Sequence, residues 1–293
     1  MILYFLSMKG IMIKNLIELT KIRIGFLVLT TTLIGFYLGN QGFGSNELLF
    51  YTLFGTLLCS AGSSIFNNII EVETDARMER TKYRVLPTKK ISLSTASFLG
   101  SIFIIFGLYL LFDKVNTLTS ILAFCTVASY LFLYTPLKKI SWINTSVGAI
   151  PGALPPLGGW TAATNSLDPG GWILFFILFF WQHPHFYSIA FIHKEDYLKA
   201  GLKMLPVIDN GKKTVLHIFM HALILIPIST LPFFFGISGR IYLVGAYFLS
   251  NIYMLCCLPF IIEQNEENAK LIFRTSLYYF VLLFFIILAD VRF

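Results

Sequence analysis

Asn67, Glu71 and Asp75 recur every four residues at the end of a long apolar run, within Asn67-Asn68-Ile69-Ile70-Glu71-Val72-Glu73-Thr74-Asp75. On an α-helix each such step advances by about 40°, so the three side chains form one stripe of oxygen donors at what reads as a solvent-facing helix end. Two carboxylates and an amide suit a hard cation, and Mg²⁺ commonly binds through one or two carboxylates together with substrate phosphates. Arg77, Arg80, Lys82 and Arg84 follow directly, and guanidinium and ammonium groups hold phosphate oxygens themselves. Acids and bases at this spacing describe a site for a metal-bridged diphosphate. The same residues also admit a plainer reading, a solvated loop with Glu73 and Arg77 paired one helical turn apart. Glu73 falls about 160° from the centre of the stripe and is turned away unless the helix unwinds there.

The elements that must carry this stripe are membrane helices. The chain is 56% hydrophobic and 16% aromatic but only 13% charged, about half the charge of an average globular protein, and its mean hydropathy is +0.75. Apolar runs long enough to cross a bilayer cover 24–42, 48–70, 93–112, 116–136, 142–162, 171–192, 215–236, 240–262 and 271–290. The chain therefore reads as one polytopic domain over 1–293, all-α, with nine transmembrane helices. Its fifth run holds Gly148, Pro151, Gly152, Pro155, Pro156, Gly158 and Gly159, which a membrane helix tolerates where neighbours satisfy the freed backbone.

Charge sets the orientation. With nine spans, all of the 22 Lys and Arg residues except Lys114, Arg240 and Arg292 fall on one side, which the positive-inside rule makes cytoplasmic. That places the N-terminal segment 1–23 in the cytoplasm and the C-terminus on the opposite side, in a bacterial inner membrane, with no cleaved leader in the short apolar Met1–Met8. The formal net charge of +7 is explained by this one-sided basic surface and its contact with membrane lipid, so nucleic acid is not expected as a partner. Cys59, Cys125, Cys256 and Cys257 have no CxxC spacing and read as packing residues. A secondary transporter would want its charges near the midplane, whereas these cluster at one interface. The two long charged loops, 71–92 and 193–214, face the same side and suggest a shared cavity opening to the cytoplasm.

The pattern Asn67-x3-Glu71-x3-Asp75-x2-Met78-x-Arg80-Thr81, continued by Arg84, Leu86 and Pro87, resembles the first aspartate-rich motif of the UbiA-type intramembrane prenyltransferases. Further runs resemble the haem-prenylating branch of that family: Leu19-Thr20-Lys21-x-Arg23, Tyr134-Thr135-Pro136-Leu137-Lys138-Lys139, Pro155-Pro156-Leu157-x-Gly159-Trp160, Trp181-Gln182-x-Pro184-His185-Phe186 and Asp196-Tyr197-x2-Ala200-Gly201-x2-Met204-Leu205-Pro206-Val207. Together they span about residues 19 to 211. Ile22 and Val85 stand where the family usually has proline, and Glu73 where it usually has aspartate; the expectation is altered loop geometry without loss of a ligand.

The resemblance implies nine helices around a cytoplasm-facing central cavity, farnesyl diphosphate and haem B as substrates, and Mg²⁺ as cofactor. Asn67, Glu71 and Asp75 would be the metal ligands and catalytic residues, with Lys21, Arg23, Arg80, Arg84 and Lys138 on the diphosphate. The product would pass to a downstream haem A synthase. Trp181, Gln182 and His185 are read as sharing one face of the sixth helix, where Pro184 frees the Phe180 carbonyl and a kink opens a polar pocket for the acceptor. His185 could ligate iron or bond a propionate. His183 is read as pointing elsewhere, and His217 and His221 as packing residues. Related enzymes carry a second aspartate-rich motif after the sixth helix; here only Glu195 and Asp196 remain, so a second Mg²⁺ on Asp196 and a purely basic clamp from Lys194, Lys199 and Lys203 both stay open.

Overall fold

The computed structural model describes residues 13–292; the expected apolar start at Met1–Met8 lies outside them. After a helical segment at residues 13–19, nine long helices follow: α1 (Ile22–Gly39), α2 (Asn46–Ile70), α3 (Leu93–Lys114), α4 (Thr117–Leu137), α5 (Asn144–Thr164), α6 (Pro169–Ile192), α7 (Lys212–Phe234), α8 (Arg240–Ile262) and α9 (Glu266–Ala289). Ser45, Ser92, Asn116 and Asn265 begin α2, α3, α4 and α9 by accepting a backbone N–H from the first turn, a cap worth about 1 kcal/mol.

Eight of the nine are long and apolar enough to cross a membrane. The exception is α5, matching the fifth expected span: it is 21 residues long and remains helical through Pro151, Pro155 and Pro156. Its composition serves contact with other helices. A Cβ on Gly159 would overlap the Thr32 carbonyl, and one on Gly35 the Pro156 carbonyl, so α1 and α5 meet backbone to backbone. The same device joins α2 to α3, where Gly55 and Gly62 face Gly107 and Gly100. Small residues permit this approach where helices lack a hydrophobic drive to associate.

The core runs along α6, whose span is 67% buried, more than that of any other candidate span; α6 packs on α5, α7 and α9. Phenylalanine, isoleucine and leucine side chains cover the outside, including Phe98, Ile105, Phe132, Ile241 and Phe285, as a lipid-facing surface requires.

Candidate functional site

The stripe forms, with a break in the helix that carries it. α2 ends at Ile70, Glu71 leaves helical geometry, and Val72–Asp75 adds one further turn. The bonds from Glu71 N to Asn67 O and from Asp75 N to Glu71 O preserve the four-residue register, so Asn67, Glu71 and Asp75 all line one cavity of about 130 Å³. Glu73 is exposed and turned away, and no ion pair with Arg77 occurs among the described residues. The expected solvent-facing position needs correction. Asp75 is only 1% exposed and Glu71 8%, because the loops after α2 and α6 close over them.

Each stripe residue meets a cation, two of them from distant parts of the chain and one from the loop that follows α2. Lys21 Nζ donates to Asn67 Oδ1 at 2.6 Å, Lys138 Nζ to Glu71 Oε1 at 2.8 Å, and Arg84 Nη1 to Asp75 Oδ2 at 2.8 Å. Lys21 gets there through a left-handed backbone at φ 50° just before α1, a conformation uncommon outside glycine and asparagine. Burial, reinforced by the Arg84 guanidinium, lowers its ammonium to about 7 against the opposing pull of Glu71. Burial alone would raise Glu71, but Lys138 overrides it and holds the carboxyl below its usual range. Burial opposes the Lys138 charge, and the Tyr134 and Glu71 oxygens outweigh it, leaving lysine above its ordinary value.

The wall is completed from α4 and the second loop. Tyr130, Tyr134 and Lys138 come from three successive turns, and the Lys138 ammonium lies 4.4 Å from the Tyr134 ring centroid. From the second loop come Tyr197, Leu202 and Met204. Arg80 Nη2 donates to Tyr197 Oη at 3.2 Å, and the Asp196 carboxylate accepts the backbone N–H groups of Glu79 and Arg80, each at 3.4 Å. Lys203 N donates to Lys138 O at 2.7 Å. The two charged loops are thus fastened to each other and to α4 over the cavity.

Of the expected diphosphate contacts, Lys21, Arg80, Arg84 and Lys138 line the cavity. Arg23 does not; it is exposed on the first turn of α1. Asp196 stands at the joint between the loops, outside the lining. Tyr130, Tyr134 and Tyr197 belong to the wall without having been assigned there from sequence; the i, i+4, i+8 spacing of Tyr130, Tyr134 and Lys138 was the available signal.

Gln182 and His185 also lie outside this cavity. They diverge on α6: Gln182 Nε2 donates to Ala149 O on α5 at 3.3 Å, while His185 and Trp181 face α9. The single shared face therefore does not form, because neighbours on both sides of α6 compete for these groups. His185 stacks on Trp181 at 4.7 Å between ring centroids, and its Nδ1 lies 2.7 Å from Ser276 Oγ. Ser276 donates its own proton to Phe273 O at 2.6 Å, so it accepts from His185 Nδ1–H and leaves Nε2 with the imidazole lone pair. His183 joins His217 and His221: its ring stacks on His221 at 3.8 Å, and His221 is 5.7 Å from His217.

The oxygen set fits a magnesium ion on its chemistry. Among the described residues no group of three His, Cys, Asp or Glu could hold a metal alone. Two carboxylates and an amide on a cavity with room for several waters leave coordination positions for substrate oxygens, the usual mode of Mg²⁺.

Residues 28–287 match the model of the UbiA prenyltransferase family. The chain belongs to the UbiA prenyltransferase family. Among curated UbiA relatives, the protoheme IX farnesyltransferase of Solibacter usitatus is 41% identical, covering 94% of this chain and 98% of its own. That of Aquifex aeolicus is 38% identical over 92% and 93%. Solved structures share the UbiA fold at lower identity. A digeranylgeranylglyceryl phosphate synthase superposes with a TM-score of 0.82 at 20% identity, covering 95% of this chain and 98% of that one. A UbiA homologue from Archaeoglobus fulgidus bound to DMAPP and Mg²⁺ gives 0.66 at 17%, over 92% and 99%. The chain is a multi-pass membrane prenyltransferase, and UbiA relatives bind Mg²⁺ with an isoprenyl diphosphate.

Proposed function

We propose that this chain transfers the farnesyl group of farnesyl diphosphate to a vinyl group of haem B, giving haem O and diphosphate. The observation that carries it is the convergence of two buried carboxylates, one amide and four cationic side chains on a single cavity. The named activity of relatives about 40% identical over nearly the whole chain supports haem as the acceptor.

In this reading Asn67, Glu71 and Asp75 hold Mg²⁺, which supplies positive charge for the diphosphate oxygens when bound. Lys21, Arg80, Arg84 and Lys138 bind the diphosphate and stabilise the charge that grows on the leaving oxygen as the C–O bond breaks. That bond's electron pair leaves with the diphosphate. The vinyl π electrons attack the allylic cation, and water captures the resulting carbocation and loses a proton, which leaves a hydroxyethylfarnesyl group. Tyr130 and Tyr134 line the cavity, and aromatic rings stabilise nearby cations by up to about 2 kcal/mol when desolvated. His185 and Gln182 serve the acceptor, with His185 Nε2 the nitrogen available to iron. Asp196 joins the loops over the site, and Arg23 reaches the diphosphate only if α1 moves at its first turn. The chain works as a single domain in a bacterial inner membrane, N-terminus in the cytoplasm, and hands its product to a haem A synthase.

Mass spectrometry of haem extracted after incubating the purified protein with haem B, farnesyl diphosphate and Mg²⁺ tests the reading. A Mg²⁺-dependent hydroxyethylfarnesyl adduct is expected. Diphosphate release only with some other acceptor would discard haem.

A further inference from the structure

The middle of α4 is not α-helical. Ser129–Tyr134 forms a π-helical turn, a rare irregularity that recurs at functional positions. At its end both the backbone N–H and the side-chain hydroxyl of Thr135 reach the Tyr130 carbonyl, the latter at 2.8 Å. Thr135 is 2% exposed, and its hydroxyl bonds within the protein. Having given its one proton to Tyr130 O, the hydroxyl can only accept from other groups. It accepts from Asn67 Nδ2 at 3.2 Å.

That bond, acting with the Lys21 ammonium on the other end of the amide, fixes which end of Asn67 faces the cavity. Nitrogen and oxygen of an asparagine side chain are nearly the same size and exchange places by a flip about χ2, so packing alone scarcely distinguishes them. With Nδ2 held by Thr135, Oδ1 is the end turned to the Lys21 ammonium, which needs an acceptor. A hard cation has the same need. We infer that Thr135, oriented by the π turn of α4, is a positioning residue that fixes Asn67 as an oxygen donor to the divalent cation. The inference rests on the metal assignment made under Proposed function.

The test uses the full-length protein in detergent with Mn²⁺ as the probe ion, binding being followed by electron paramagnetic resonance in the presence of inorganic diphosphate. Thr135→Val keeps the shape and removes the hydroxyl; Thr135→Ser keeps the hydroxyl. Thr135→Val should weaken Mn²⁺ about tenfold, the equivalent of one lost hydrogen bond, and raise the Mg²⁺ concentration needed for half-maximal turnover in parallel. Thr135→Ser should stay within about twofold of the parent. Equal Mn²⁺ affinity in the parent and Thr135→Val overturns the positioning role, as does equal weakening in both variants, which would indicate lost packing. If the parent itself binds no Mn²⁺, the metal assignment fails with it, whereas loss of the haem adduct with Mn²⁺ binding intact would remove the acceptor and leave Thr135 standing. Thermal unfolding of each variant separates a misfolded sample from a weakened site.

Discussion

At the scale of single residues, the buried ion pairs govern what a substitution does. Asp75→Asn removes one proposed ligand charge, and turnover should fall at least about 100-fold, comparable to loss of a principal electrostatic group. Because Asp75 is buried against Arg84, its melting temperature should also drop, as a scan of the purified variant would show. Glu71 and Lys138 form the more enclosed pair. Lys138→Met removes the ion-pair partner of the buried Glu71, leaving it only the Asn67 side chain and the charge of Lys21, and should destabilise the protein by up to about 3 kcal/mol. Adding Glu71→Gln should recover most of that stability and none of the activity; a double variant as unstable as the single one would contradict the pairing. His185→Ala should weaken haem use, read as the concentration for half-maximal rate, while leaving that for farnesyl diphosphate within about twofold. An effect confined to the diphosphate substrate would remove His185 from the acceptor side. Asn67, Glu71 and Asp75 were legible in the sequence because a period of four survives a local break in the helix. Thr135 and Tyr197 were not, since nothing in a linear chain shows that α4 and the second loop bracket the end of α2.

At the scale of elements, glycine acts through the approach it permits. α1 and α5 touch through Gly35 and Gly159, and α5 in turn packs against α6 and α4. Gly159→Val would drive a side chain into the Thr32 backbone, which cannot yield as a flexible side chain does. The cost should exceed the roughly 1–3 kcal/mol of ordinary overpacking, and detergent-solubilised material should be aggregated on size-exclusion chromatography. A Cβ on Gly158 would meet nothing within 4 Å, so Gly158→Ala, one residue away, should behave as the parent. The Pro and Gly residues of α5 were visible in sequence as a peculiarity of the fifth span. Their reason, intimate packing on α1, needed the neighbouring helix. The same holds for α6, whose period correctly places His185 near Trp181 but cannot show that Gln182 finds α5 while His185 finds Ser276 of α9.

At the scale of the whole molecule, the asymmetry of Lys and Arg implies an orientation that reporter fusions can test. Alkaline phosphatase fused after α9 should be active outside the cytoplasm, and one fused in the loop between α6 and α7 inactive; the reverse pattern would invert the topology. Composition and hydropathy determined that this is a helical membrane protein, because covering apolar surface and satisfying every backbone group in a bilayer leave few alternatives. The spacing of Asn67, Glu71 and Asp75 determined that their oxygens share a face, because helical geometry is local. Only the tertiary structure decided that Asp75 is buried, that Arg23 stands apart from Lys21, and which cation each acid meets. The Lys21 and Lys138 contacts join residues 46 and 67 positions apart, and even the nearer Arg84 reaches Asp75 only through the fold of its loop, so these pairings follow from how the helices pack and how the two loops close over them.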